Sequence, residues 1–186
     1  MRTPLRLIVL ALTSVLAALA VTLPAQAAAS PYCGITWGSL DKASNAGNGG
    51  HVDEVRAGRH ACYDRLVIDI TGTTTYHNWQ VGYVSRVVQD PSGRTVSLRG
   101  GAFLQIRLEA PTNTPNGTLT YAPENTSELV NVSGYRTFRQ VALTGAFEGV
   151  TNISVGVRAR LPFRVFTLSG PNPNQTRLVI DVAHSW

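Results

Sequence analysis

The sequence predicts an all-β fold: a β-sandwich of two similar antiparallel sheets with internal pseudo-symmetry and an irregular N-terminal arm. Three observations lead there. Beyond the first 27 residues no segment carries a helical period, whereas alternation of apolar and polar residues recurs from Cys62 to the C terminus. About seven or eight such runs are separated by Gly, Pro and Asn turn signals, the pattern of a sandwich. One string also occurs twice: Arg65-Leu66-Val67-Ile68-Asp69-Ile70 returns as Arg177-Leu178-Val179-Ile180-Asp181-Val182. The copies are too far apart to be a short tandem repeat and read as two equivalent strands. In each, Leu, Ile and the last aliphatic share one face, and Arg, Val and Asp share the other. Aspartate is disfavoured inside a β-branched run. Asp69 and Asp181 are therefore expected to form structural ion pairs with arginines on their own face.

Residues 1–27 read as a secretory signal peptide. Arg2 and Arg6 precede the uncharged run Leu7 to Val21, and Ala25-Gln26-Ala27 after Pro24 fits a small-x-small cleavage site. The stretch is short for a spanning helix, and no lipobox precedes Cys33, so no stable membrane anchor is expected after cleavage. About 160 residues remain, enough for one domain with a substantial core. The sequence carries 16 basic and 11 acidic residues, formally +5. Loss of Arg2 and Arg6 leaves 14 against 11, net +3. That mild charge argues against a nucleic-acid partner and suits weak attraction to anionic envelope polymers. Two cysteines in an exported chain, Cys33 and Cys62, are expected to form a disulfide closing a loop of about 30 residues.

Residues 28–58 read as an irregular arm, tied on by that disulfide and by Trp37; Asn45 to Gly50 is a Gly/Asn-rich loop. The first copy of the repeat follows, then a threonine-rich turn. Trp79, Val81, Tyr83, Ser85 and Val87 alternate with Gln80, Gly82, Val84, Arg86 and Val88, and Asp90-Pro91-Ser92-Gly93 is a turn. Thr95 to Leu108 alternates throughout, as one long strand or two collinear ones bent at Gly100-Gly101. Residues 111–134 read as a long loop. Strands are expected through Val141 to Phe147 and Ile153 to Ala159, the latter with Ser154, Gly156, Arg158 and Arg160 outward, and then Phe163 to Leu168 before the second copy.

A family resemblance rests on Tyr32-Cys33-Gly34-Ile35-Thr36-Trp37-Gly38, Gly58-Arg59-His60-Ala61-Cys62-Tyr63-Asp64-Arg65, Arg99-Gly100-Gly101-Ala102, Gly145-Ala146-Phe147-Glu148-Gly149 and the closing segments Pro162 to Leu168 and Arg177 to Val182. Taken together these resemble the AMIN-like secreted bacterial proteins, relatives of the AMIN domain of cell-wall amidases and secretins, with the domain over residues 59–186. The resemblance implies a sandwich and an envelope-targeting, peptidoglycan-associated role. No adjoining enzyme or pore domain is expected, which would be a departure from classical AMIN proteins.

The residues offer little to catalysis. The four histidines are widely spaced, and a zinc site would have to be assembled from His60, His184 and Asp64. Glu148 is the only acid in an unusual setting, and there is no Gly-x-Ser-x-Gly elbow. The expectation is an exported, non-catalytic module without cofactor or metal. Its partner would be peptidoglycan or another wall glycan, or alternatively an envelope protein. Sugar rings stack on aromatic faces and their acidic groups pair with arginine forks. Trp79 and Tyr83 with Arg158 and Arg160, and the repeat pair Arg65 and Arg177, are the candidate ligand-binding residues.

Overall fold

The computed structural model describes residues 30–46 and 49–186; the signal segment lies outside the described residues. A single 3₁₀ turn at Tyr32–Gly34 is followed by eleven strands: β1 (Lys42–Asn45), β2 (His51–Arg59), β3 (Tyr63–Thr71), β4 (Asn78–Val84), β5 (Val87–Val88), β6 (Thr95–Val96), β7 (Ala102–Leu108), β8 (Phe138–Phe147), β9 (Val150–Val157), β10 (Phe163–Ser169) and β11 (Gln175–Ala183). They form a five-stranded sheet ordered β1-β4-β7-β9-β8, a four-stranded sheet ordered β10-β11-β3-β2, and the small β5-β6 ribbon. All pairings are antiparallel. The expected sandwich is the observed one. Leu66, Ile68 and Ile70 of β3 and Leu178, Ile180 and Val182 of β11 share a core with Val81, Leu104, Ile106, Leu108, Ile153, Val155 and Val157 of the other sheet. Each such side chain contributes roughly 1.5–3 kcal/mol by leaving water.

The two repeat copies are neighbours in one sheet. β3 and β11 pair with Val67 opposite Val179, so Arg65 faces Asp181 and Asp69 faces Arg177. The string is self-complementary because Arg and Asp lie symmetrically about its valine. The internal symmetry is therefore a local twofold between two adjacent strands. It holds at one end only. Arg65 grips Asp181 with both branches, Nε to Oδ1 at 2.7 Å and Nη2 to Oδ2 at 2.9 Å, and Arg164 Nε donates to Oδ2 at 2.8 Å. At the other end Asp69 is bound by Arg56, with Nη2 and Nε at 2.5 and 3.0 Å from Oδ2. Arg177 turns to the carbonyl of Ser169. The difference lies in β2: Gly58 stands beside Arg65 and competes for nothing, whereas Arg56, beside Val67, reaches Asp69 first.

Two expectations about local structure require correction. The span 28–58 is not irregular throughout, since it contains β1 and β2, the edge strands of the two sheets. β2 was hidden because its two apolar anchors, Val52 and Val55, are three residues apart. A bulge between Val52 and Glu54 inserts one residue and turns both valines inward. The long run 95–108 is also two elements in different sheets, with β6 pairing β5 and β7 joining the large sheet. Between them the chain crosses the outer face of β9. A Cβ on Gly156 would lie 1.8 Å from the Arg99 carbonyl oxygen, so only glycine admits this crossing. Ser154 and Gly156 point outward as expected but are buried beneath it, and Arg158 and Arg160 follow the end of β9. The loop expected over 111–134 is found, with one isolated bridge between Asn113 and Leu119. Its Asn-x-Ser sequences form side-chain turns, Asn125 and Asn131 each accepting from the serine amide two residues on at 2.9 Å.

The expected disulfide joins Cys33 to Cys62. Replacing both cysteines with serine should lower the unfolding free energy by about 3–4 kcal/mol, from the loop entropy restored to the unfolded chain. Asp181→Ala should cost about 1.5–3 kcal/mol, the range of a hydrogen bond to a charged group, because Arg65 and Arg164 lose their acceptor but remain partly open to water. Gly156→Ala should cost at least about 2 kcal/mol by lifting the crossing segment off β9. Equilibrium denaturation of the three variants checks all three values.

Candidate functional site

The structure disperses the residues that the sequence singles out for binding. Trp79 and Tyr83 lie on the inward parity of β4. Trp79 is 9 % exposed and part of the core, and Tyr83 packs against that core, edge to face with Phe163. The Tyr83 hydroxyl donates to the Leu161 carbonyl and accepts from the Leu161 amide, at 2.9 and 3.0 Å, and burial pushes its pKa up. Both aromatics are packing groups. Arg177 is bound to Ser169, Arg158 donates to the His184 carbonyl, and Arg160 donates to the Ser39 carbonyl while lying over the Tyr83 ring.

Arg65 belongs to a cluster on the outward face of the four-stranded sheet. Arg164 lies 4.5 Å from the ring centre of Trp37, 4.9 Å from Phe166 and 5.6 Å from Tyr63. Arg65 lies over Tyr63 and Phe166. The guanidinium groups cover the rings, and Asp181 holds the guanidinium groups. Aromatic faces and arginines meet here, but they are spent on each other and on clamping Trp37 of the arm to the sheet.

The outer face of the five-stranded sheet carries an open groove of about 520 Å³. Its floor follows from strand register. Gln80 of β4, Arg107 of β7 and Asn152 of β9 lie abreast, and Gly82, Gln105 and Ser154 form the next row. Asp41 enters from the segment before β1. Its carboxylate occupies the space over Gly82, where a Cβ would stand 2.5 Å from Oδ1. Asp90, at the β5–β6 turn, closes the opposite side and accepts from Asn152 Nδ2 at 3.0 Å. Amides that both donate and accept, two carboxylates and one guanidinium thus converge on a shallow polar trough. Arg107 also reaches Glu109 at 3.2 Å, a pair open to solvent. The alternation of Gln80, Gln105 and Arg107 on the polar parity is visible in the sequence. Asp41, Asp90 and Asn152 come from separate segments with no shared pattern.

At one end of the sandwich the Asp64 and His184 of the zinc reading do meet, Oδ1 to Nε2 at 3.1 Å, both buried. Asp64 is otherwise taken up by the amides of Thr137 and Phe138, at 2.6 and 3.0 Å, which is why it occupies an inward position of β3. His60 stacks on Tyr63 instead of joining them. No group of three metal-binding side chains occurs among the described residues. Glu148 sits with Gly149 at positive φ in the tight β8–β9 turn.

None of the described helices is long and apolar enough to cross a membrane. No curated protein matches the chain. A family model, the AMIN-like domain, matches residues 50–184, beginning at the loop before β2 and ending just past β11. The bulged edge strand thus lies inside the domain, which starts nine residues before the boundary expected at 59. With both sheets of the sandwich represented in that match, and an envelope-binding role associated with the family, the chain belongs to the AMIN-like domain proteins.

Proposed function

We propose that this is an exported, non-catalytic module that binds the glycan of the cell envelope, peptidoglycan first, through the groove on the five-stranded sheet. The supporting observation is the groove's donor and acceptor set. Gln80 and Gln105 can each serve a hydroxyl or acetamido group in either sense, Asp41 and Asp90 accept from hydroxyls, and Arg107, whose pair with Glu109 is open to solvent, can exchange that partner for a carboxylate of the glycan. The trough is open and lies on rigid strands, which suits a polymer threading through it. Its volume falls in the range of small-ligand sites. The Cys33–Cys62 bond supports an extracytoplasmic setting. Stabilising contacts in a trough of this kind are polar and individually modest, so affinity would come from repetition along the wall.

The protein should sediment with purified cell-wall sacculi at low salt and hydrolyse nothing in them. Gln80→Ala with Gln105→Ala removes two hydrogen-bonding amides worth about 1 kcal/mol each, and should weaken sedimentation by about tenfold or more without a change in thermal stability. Protein left wholly in the supernatant would end this reading, and soluble muropeptide release would convert it to an enzyme. A pull-down returning a protein partner but no glycan would favour an envelope interaction module.

A further inference from the structure

The same end of the sandwich that holds Asp64 and His184 carries two adjoining cavities, of about 430 and 300 Å³. Arg136 and His184 line both. Arg139 and Arg158 complete the cationic wall of the first, Arg59 that of the second, beside His60. None of these four arginines forms an ion pair among the described residues. Arg139 and Arg158 are held by backbone carbonyls, which orient them and leave their charge uncompensated: Arg139 by Tyr135, Arg136 and Phe138, and Arg158 by His184. Arg59 lies over the Tyr135 ring at 6.0 Å. The one carboxylate on either wall is Asp64, 1 % exposed and committed to two amides and His184. His184 is itself 7 % exposed, and its Nδ1 has no hydrogen-bonding partner.

We propose that this end of the sandwich is a binding site for a phosphate monoester or diester on a soluble ligand. The arginines arrive from the ends of β2, β8 and β9 and the loop before β8, and so approach the two adjoining cavities from several directions, with Arg136 common to both. A tetrahedral anion offers oxygens to several forks at once, whereas a carboxylate is satisfied by one fork in its own plane. Volumes of about 430 and 300 Å³ admit a compact soluble group. The site shares no lining residue with the groove on the five-stranded sheet, and stands or falls apart from the glycan reading.

Calorimetric titration of the purified protein with inorganic pyrophosphate at constant ionic strength tests it, with acetate as the carboxylate control. Pyrophosphate should bind, and acetate should bind at least about tenfold more weakly. Arg136→Gln should weaken pyrophosphate binding by about tenfold or more; Arg136 makes no side-chain hydrogen bond among the described residues, so the fold is retained. Arg86→Gln, which lines neither cavity, should leave binding unchanged. No heat of binding at millimolar pyrophosphate would overturn the proposal. So would equal losses in the Arg136 and Arg86 variants, or binding confined to phosphatidylglycerol vesicles. Unchanged sedimentation with sacculi in Arg136→Gln would leave the groove reading standing, whatever the outcome here.

Discussion

Asp181 bears a carboxylate of zero exposure on the outward face of a sheet, and much of the molecule is arranged around keeping it there. An isolated buried charge costs several kcal/mol, so this one requires partners with matched geometry. They come from both neighbouring strands, Arg65 from β3 and Arg164 from β10. A one-residue slip of β11 would turn Asp181 into the core and break both contacts, so the pair pins the register of three strands. The two guanidinium groups then need flat surfaces, supplied by Tyr63, Phe166 and Trp37. Trp37 belongs to the arm that the disulfide anchors at Cys62, one residue before Tyr63. A single carboxylate thus couples the central strand pair to the N-terminal segment.

The other sheet solves the opposite problem. Its outer face is stripped of bulk where the chain crosses β8 and β9: Gly156 admits the Arg99 carbonyl, and Gly145 admits Asp90. Glutamine and asparagine satisfy the groups so buried. Gln140 accepts from the Arg99 amide and donates to the Ser127 carbonyl, and Asn152 donates to Asp90. Toward β4 and β1 the covering segment stops, and the same outward parity becomes the groove. The groove is therefore the uncovered half of a face whose covered half is closed by glycine and amide side chains.

Charge is segregated along with shape. The groove sets Asp41 and Asp90 against Lys42 and Arg107, whereas Arg59, Arg136, Arg139 and Arg158 gather at the sandwich end without an ion-pair partner among the described residues. The modest net charge of the chain averages over the two and conceals both. A scaffold with an amide-lined face and a cationic end presents two chemically different surfaces, and the rigid core between them keeps their spacing constant.

Much of the fold was legible because strand alternation is a local property. The parity of Leu66, Ile68 and Ile70, and of Leu104, Ile106 and Leu108, reports their inward face without knowledge of their neighbours. The cysteine pair was legible by elimination, since only two exist. The pairing of Asp181 with an arginine was foreseeable from its position, but which arginine was not: β2 offers glycine at one end of the repeat and Arg56 at the other. β2 itself escaped because a bulge erases the alternation by which strands are read. The two aromatic candidates show the reverse case. Trp79 and Tyr83 have the chemistry of a glycan platform, yet their parity belongs to the core once β7 lies beside β4. By itself the sequence determined the regularly alternating strands, their inward faces and the disulfide, because each follows from local period or from count. Only the tertiary structure decided which polar side chains share a surface, because the groove and the cationic end are assembled from residues distant in the chain and adjacent only after the sheets are paired.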